Sequence, residues 1–88
     1  MASYKADEIK LFPNPVSDKL YVDMSSNIAE PIEITVYDQS GRKIKSMQKY
    51  YDGNSPVFIT ISALSEGFYF LSVKSKNGIS IKRVSVIR

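Results

Sequence analysis

The sequence predicts an all-β fold, a seven-stranded immunoglobulin-like β-sandwich, and three observations carry that prediction. Apolar and polar residues alternate in seven separate runs. Clusters of Gly, Pro, Asn, Asp and Ser separate the runs roughly every 8–12 residues. No stretch of ten or more residues shows a capped helical period. An open barrel is the alternative closure of the same strands. The chain has no Cys and no Trp, so the antibody-type disulfide and its packed Trp are missing. Aliphatic packing must then hold the two sheets together.

The first strand covers residues 8–12 and stops at Pro13-Asn14-Pro15, because the two prolines lack the N–H that a ladder needs. Residues 18–24 follow, with Leu20, Val22 and Met24 on one face, and residues 25–31 are a polar connection. Residues 32–37 alternate cleanly, with Ile32, Ile34 and Val36 inward. Asp38-Gln39-Ser40-Gly41 reads as a type I turn with Gly41 left-handed. The strand from Arg42 to about Tyr50 is weaker: Ile44 and Met47 are out of phase, which points to a bulge or an edge.

Asp52 to Pro56 is a turn, and residues 57–61 place Val57, Ile59 and Ile61 on one side. After a short link at 63–67, residues 68–75 form a strand whose Tyr69, Leu71 and Val73 share a face. Asn77-Gly78 is a strong hairpin signal. The last strand, 79–87, has a phase break, since Ile79 and Ile81 are odd while Val84 and Val86 are even. Either a bulge at Lys82-Arg83 swaps the faces, or Ile81 and Ile87 stay inward and the valines cover a partner-facing side. Residues 1–8 read as a linker or leader upstream of the domain, and 9–88 as the domain itself. The opening has no apolar segment of signal-peptide type, so an exported parent would be longer than this chain.

Composition narrows the function. Without His or Cys there is no usual general base, no Ser-His or Cys-His pair and no Zn–thiolate site. A Ser-Lys nucleophile, for which Lys74-Ser75-Lys76 supplies the residue types, needs a buried lysine and an oxyanion hole. Turn and outward positions offer neither. Asp7-Glu8 sits in the leader, and Asp52-Gly53-Asn54 lacks the carboxylate density of a Ca²⁺ loop. No catalytic residue, metal or cofactor is expected, and the chain does not read as an enzyme.

Residues 45–88 hold seven basic and two acidic side chains, against five and seven in residues 1–44. From Gly67 onward Lys74, Lys76, Lys82, Arg83 and Arg88 meet no acidic side chain. Such a hairpin suits an acidic partner, an anionic polysaccharide or a membrane surface, although lysine also protects sheet edges. The cations are too sparse for nucleic acid. No apolar run reaches the roughly 18–20 residues of a membrane span, so stable insertion is not expected. Tyr50, Tyr51, Phe58, Phe68 and Phe70 exceed what one small core is expected to hold. They would form either an exposed contact or sugar-stacking patch, or cross-strand pairs on a sheet face.

Four segments carry a family likeness. Leu11-Phe12-Pro13-Asn14-Pro15-Val16 with Leu20-Tyr21-Val22 resembles the "YPNPV…L.V" opening of the type IX (Por) secretion system C-terminal sorting domain, type A, of Bacteroidetes. Residues 34–44, with Gly41 and Arg42, are similar to its "V.D..GR.V" hairpin. Residues 59–73, with Gly67 and Tyr69, match its "I.L..G.Y.L.V" segment, and Gly78 with Lys82-Arg83-Val84 its closing strand. Ser65 stands where the family commonly has Pro, and Phe12 where Tyr is frequent.

The resemblance implies an address label on a larger exported protein. Such a domain passes through the periplasm, is recognised by the outer-membrane translocon, and leaves its cargo at the cell surface or secreted. A sortase-like protease commonly removes it, here near or before residues 1–8. Pro13, Asn14, Pro15, Gly41, Arg42, Gly67, Tyr69 and Gly78 are then expected to serve the fold. Lys82, Arg83, Val84, Val86 and Arg88 are the candidates for translocon recognition, and an edge strand could also pair two copies. The rival function is an Ig-like carbohydrate-binding or adhesive module.

Overall fold

Each alternating run becomes a strand: β1 (Lys10–Phe12), β2 (Lys19–Asp23), β3 (Glu30–Asp38), β4 (Lys43–Tyr51), β5 (Val57–Thr60), β6 (Gly67–Ser75) and β7 (Gly78–Val86). This computed structural model describes residues 9–76 and 78–88. The linker expected over residues 1–8, and the Asn77 of the expected Asn-Gly turn, lie outside the described residues. The strands pair antiparallel into two sheets, β1-β2-β5 and β4-β3-β6-β7. The architecture is the expected immunoglobulin-like sandwich, with no helix among the described residues.

The core is the meeting of the inward faces. Leu20, Val22 and Met24 face Ile32, Ile34, Val36, Leu71 and Val73, with Ile59 and Ile61 beside them, and all are buried. Period-two alternation places side chains of one phase on one face, so these four expected faces appear as read. β4 is an edge strand. Its register skips Ile44, because Val36 pairs with Lys45 and Tyr37 with Lys43. That bulge is the phase defect visible in the sequence.

Tyr51, counted among the candidate surface aromatics, is buried at the end of β4, and its hydroxyl donates to the Ser26 carbonyl. The 38–42 turn is closed by Gly41 N–H to Asp38 O at 2.9 Å, with Gly41 at φ +90°. No atom lies within 4 Å of a Cβ built there, so conformation alone calls for glycine. Asp38 Oδ1 accepts from the Ser40 hydroxyl at 2.6 Å and from the Arg42 N–H at 2.9 Å. The Ser40 hydroxyl and the Arg42 N–H hold the Asp38 carboxyl below its ordinary value.

The β5–β6 link is pinned by Tyr69, whose buried ring ends in a hydroxyl that donates to the Ser65 carbonyl at 2.6 Å. This is the tyrosine corner of immunoglobulin-like sandwiches, a side chain tying its strand to the preceding loop. Tyr69→Phe removes the bonds of the hydroxyl to the Ser65 carbonyl and, at 3.3 Å, to the Ser65 hydroxyl, without opening a cavity. A loss of about 1 kcal/mol is expected from urea unfolding, with the slope unchanged.

Candidate recognition surface at the C-terminal strand

Among the described residues the one strand that pairs with β7 along its length is β6, so β7 is the second edge of the four-stranded sheet. Its ladder runs without a bulge from Ser75 opposite Gly78 to Gly67 opposite Val86. One phase must therefore face inward throughout, and it is the even one. Val84 and Val86 are in the core, 3% and 1% exposed, while Ile79 and Ile81 are 57% and 56% exposed. Both expected arrangements of this strand are thus corrected. No bulge swaps the faces, and Val84 and Val86 do not look outward. The signal was masked because the even phase also holds Ser80 and Lys82.

The outer edge of β7 is partly covered by the connection between β1 and β2. Val16 and Val86 form a parallel bridge. Val16 N–H donates to Ser85 O, and Ile87 N–H to Val16 O, both at 2.9 Å. One turn earlier, the Asn14 side chain behaves like a peptide group. Its Oδ1 accepts the Ser85 N–H at 3.0 Å and its Nδ2 donates to Arg83 O at 3.3 Å. The Phe12–Pro13 and Asn14–Pro15 peptide bonds are both cis. Pro13-Asn14-Pro15 thus serves the fold, but not merely by stopping a strand. Its amide side chain supplies β-pairing to a residue about seventy positions away. The pointer in the sequence was a lone donor-bearing side chain between two residues without N–H.

Arg88 is likewise committed within the domain. Its Nη2 donates to Ile61 O at 2.7 Å, its Nε to Leu64 O at 3.0 Å, and its Nη1 to Ser17 O. Three loop carbonyls therefore hold the guanidinium, and it is not a free charge for a partner. Arg42 is exposed and pairs through Nε with Asp38 at 3.4 Å. Gly67 (φ +152°) and Tyr69 lie at the same end of the sandwich as the Asp38–Arg42 turn, since Tyr69 pairs with Asp38 and Val84. Gly78 (φ +141°) starts β7 at the opposite end of its hairpin.

Lys82 and Arg83 remain as accessible charge. Lys82 is on the inward phase but half-buried, where the sandwich opens between β1 and β7. Its stem lies along apolar surface while its ammonium can reach water. With Lys10, Phe12, Asn14 and Arg83 it lines a cleft of about 440 Å³. The Arg83 guanidinium carbon lies 5.1 Å from the centre of the exposed Phe68 ring.

The candidate aromatics do not assemble one platform. Phe58 is on the outer face of the three-stranded sheet, in a cross-strand row with Tyr21 and Phe12. Phe12 and Tyr21 stack at 5.6 Å, and the ammonium groups of Lys19 and Lys49 lie 5.0 and 5.5 Å from the Phe58 ring centre. Phe68 and Phe70 are on β6 in the other sheet and Tyr50 on its edge strand. A sugar needs an open ring face, and these faces are divided or already in contact.

The family model described as the secretion system C-terminal sorting domain matches residues 10–87. No curated protein matches the chain. Among solved structures, the chain is similar to part of dimeric latent PorU from Porphyromonas gingivalis, at 23% identity and a TM-score of 0.57. That likeness covers 90% of this chain and 9% of the PorU chain, and it shows the fold alone.

Proposed function

Because the chain belongs to the secretion system C-terminal sorting domain family, we propose that β7 presents Lys82 and Arg83 to the outer-membrane translocon as its readout. The domain is a type IX sorting signal, which carries a protein across the outer membrane to the cell surface or the medium. Recognition, not catalysis, is the activity of the domain. Transit through the periplasm and removal by a sortase-like protease, with cleavage near or before residues 1–8, belong to the same reading.

The observation that carries the readout is the division of labour along β7. Val84, Val86 and Arg88 are engaged in the core or in loop carbonyls. Lys82 and Arg83 line the cleft beside β1, with the Arg83 guanidinium over the Phe68 ring. The experiment is export of a periplasmic reporter fused ahead of this domain in a Bacteroidetes host. Wild-type fusion is expected outside the cell. The Lys82→Gln, Arg83→Gln double variant is expected to fold normally and to be retained, with export reduced about tenfold or more. Export at the wild-type level by that variant defeats the cationic readout, and retention of the wild-type fusion defeats the sorting role of this chain.

A further inference from the structure

The outer edge of β7 is divided into a sealed half and an open half. Ser85 turns its N–H to Asn14 and its C=O to Val16, and Arg83 C=O and Ile87 N–H point the same way. In an antiparallel ladder the hydrogen-bonding direction alternates from residue to residue. The odd residues of β7 therefore face away from β6, and this holds for Ile79 and Ile81 as well. Their N–H and C=O groups, with the Arg83 N–H, have no partner among the described residues. The two side chains flanking this edge are exposed isoleucines. Natural edges are usually blunted by proline, by inward charge or by a covering loop. Among the described residues the cover stops at Asn14.

Beside the open half lies the cleft between β1 and β7, to which Lys10, Lys82 and Arg83 contribute charge and, among the described residues, no carboxylate does. We propose that residues 79–83 bind an extended acidic segment of a partner protein by strand addition. Backbone pairing to Ile79 and Ile81 supplies affinity, and carboxylates of the incoming strand meet Lys82 and Arg83. A second copy of this chain is the poorer occupant. Antiparallel pairing of two such edges about Ile81 sets Lys82 opposite Ser80 and Arg83 opposite Ile79, so neither cation meets a carboxylate. The proposal rests on the recognition reading above and names its binding mode.

The test is amide hydrogen exchange of the isotope-labelled domain with a short capped peptide in which Glu-Glu and Val-Val pairs alternate, so that both faces of the incoming strand carry carboxylates. The amides of Ile79, Ile81 and Arg83 are expected to slow about tenfold or more, while Ser80 and Lys82, already paired with β6, stay unchanged. Ile81→Pro removes an outward N–H that β6 does not use, so the fold is retained and peptide affinity falls at least tenfold. Lys82→Glu, Arg83→Glu is expected to bind a Lys-Val peptide in place of the Glu-Val one.

Absence of protection at the three amides overturns the proposal, as does equal binding of the Lys-Val peptide by the wild-type chain. Protection of the same amides without peptide, rising with protein concentration, overturns it in favour of self-pairing. Peptide binding is measured on the isolated chain and export on the fusion. A fusion that is exported while the peptide fails to bind removes the docking mode and leaves the sorting role standing.

Discussion

Removal of residues 85–88 is expected to unfold the domain rather than to silence a signal on a folded one. The deletion takes Val86 out of the core and breaks its parallel bridge to Val16. It removes the Ser85 and Ile87 hydrogen bonds to Asn14 and Val16, and the Arg88 bonds to Ser17, Ile61 and Leu64. Burying a Val is worth about 1.5–3 kcal/mol. Each hydrogen bond adds roughly 0.5–1.5 kcal/mol net. Together these reach the roughly 5–15 kcal/mol that holds an ordinary domain folded. Circular dichroism and amide dispersion of the truncated chain are expected to be those of an unfolded polypeptide. A folded truncated domain would show instead that the strand end is dispensable for the fold and free to act as a readout. Loss of export on deleting the terminus therefore reports folding first, which is why charge substitutions at Lys82 and Arg83 are the sharper test.

Asn14→Ala is expected to cost about 1–3 kcal/mol, from two side-chain hydrogen bonds to β7 at roughly 0.5–1.5 kcal/mol each. The loss should be local as well as global. Ser85 N–H, which Asn14 Oδ1 accepts, is expected to exchange faster with solvent. The neighbouring Val84, which faces β6, should change only by the global loss of stability. Urea unfolding gives the first quantity and residue-resolved exchange the second. Unchanged protection at Ser85 would mean that the amide does not act as a clamp on this edge. If the clamp holds, the variant also lengthens the open half of β7. The Asn in the motif then sets where that opening begins, in addition to stabilising the sandwich.

The family likeness was legible because its positions carry strong local chemistry. Gly41 sits at a positive φ in a tight turn, and Tyr69 stands two residues after Gly67. The alternating segments around them have inward faces uninterrupted by polar residues. What those motif residues touch was less legible. Tyr69 bonds only four residues back, within reach of a local reading, but Asn14 bonds residues 69 and 71 positions away. Arg88 looked like spare charge because its acceptors are backbone carbonyls of loops, and a carbonyl has no residue identity to read.

Seven strands, their turns, and the inward faces of β2, β3, β5 and β6 are legible in residue order, since period-two alternation is a local property of the chain. The family and the cationic balance of the last hairpin are legible there too. The arrangement of the C-terminal strand comes from contacts between distant parts of the chain. The register on β6 and the packing of Val84 and Val86 in the core turn Ile79 and Ile81 outward. Asn14 and Val16 then close one half of the edge and leave the other open. These are partnerships between ends of the chain, fixed by hydrogen-bonding direction and burial after the sheets have met.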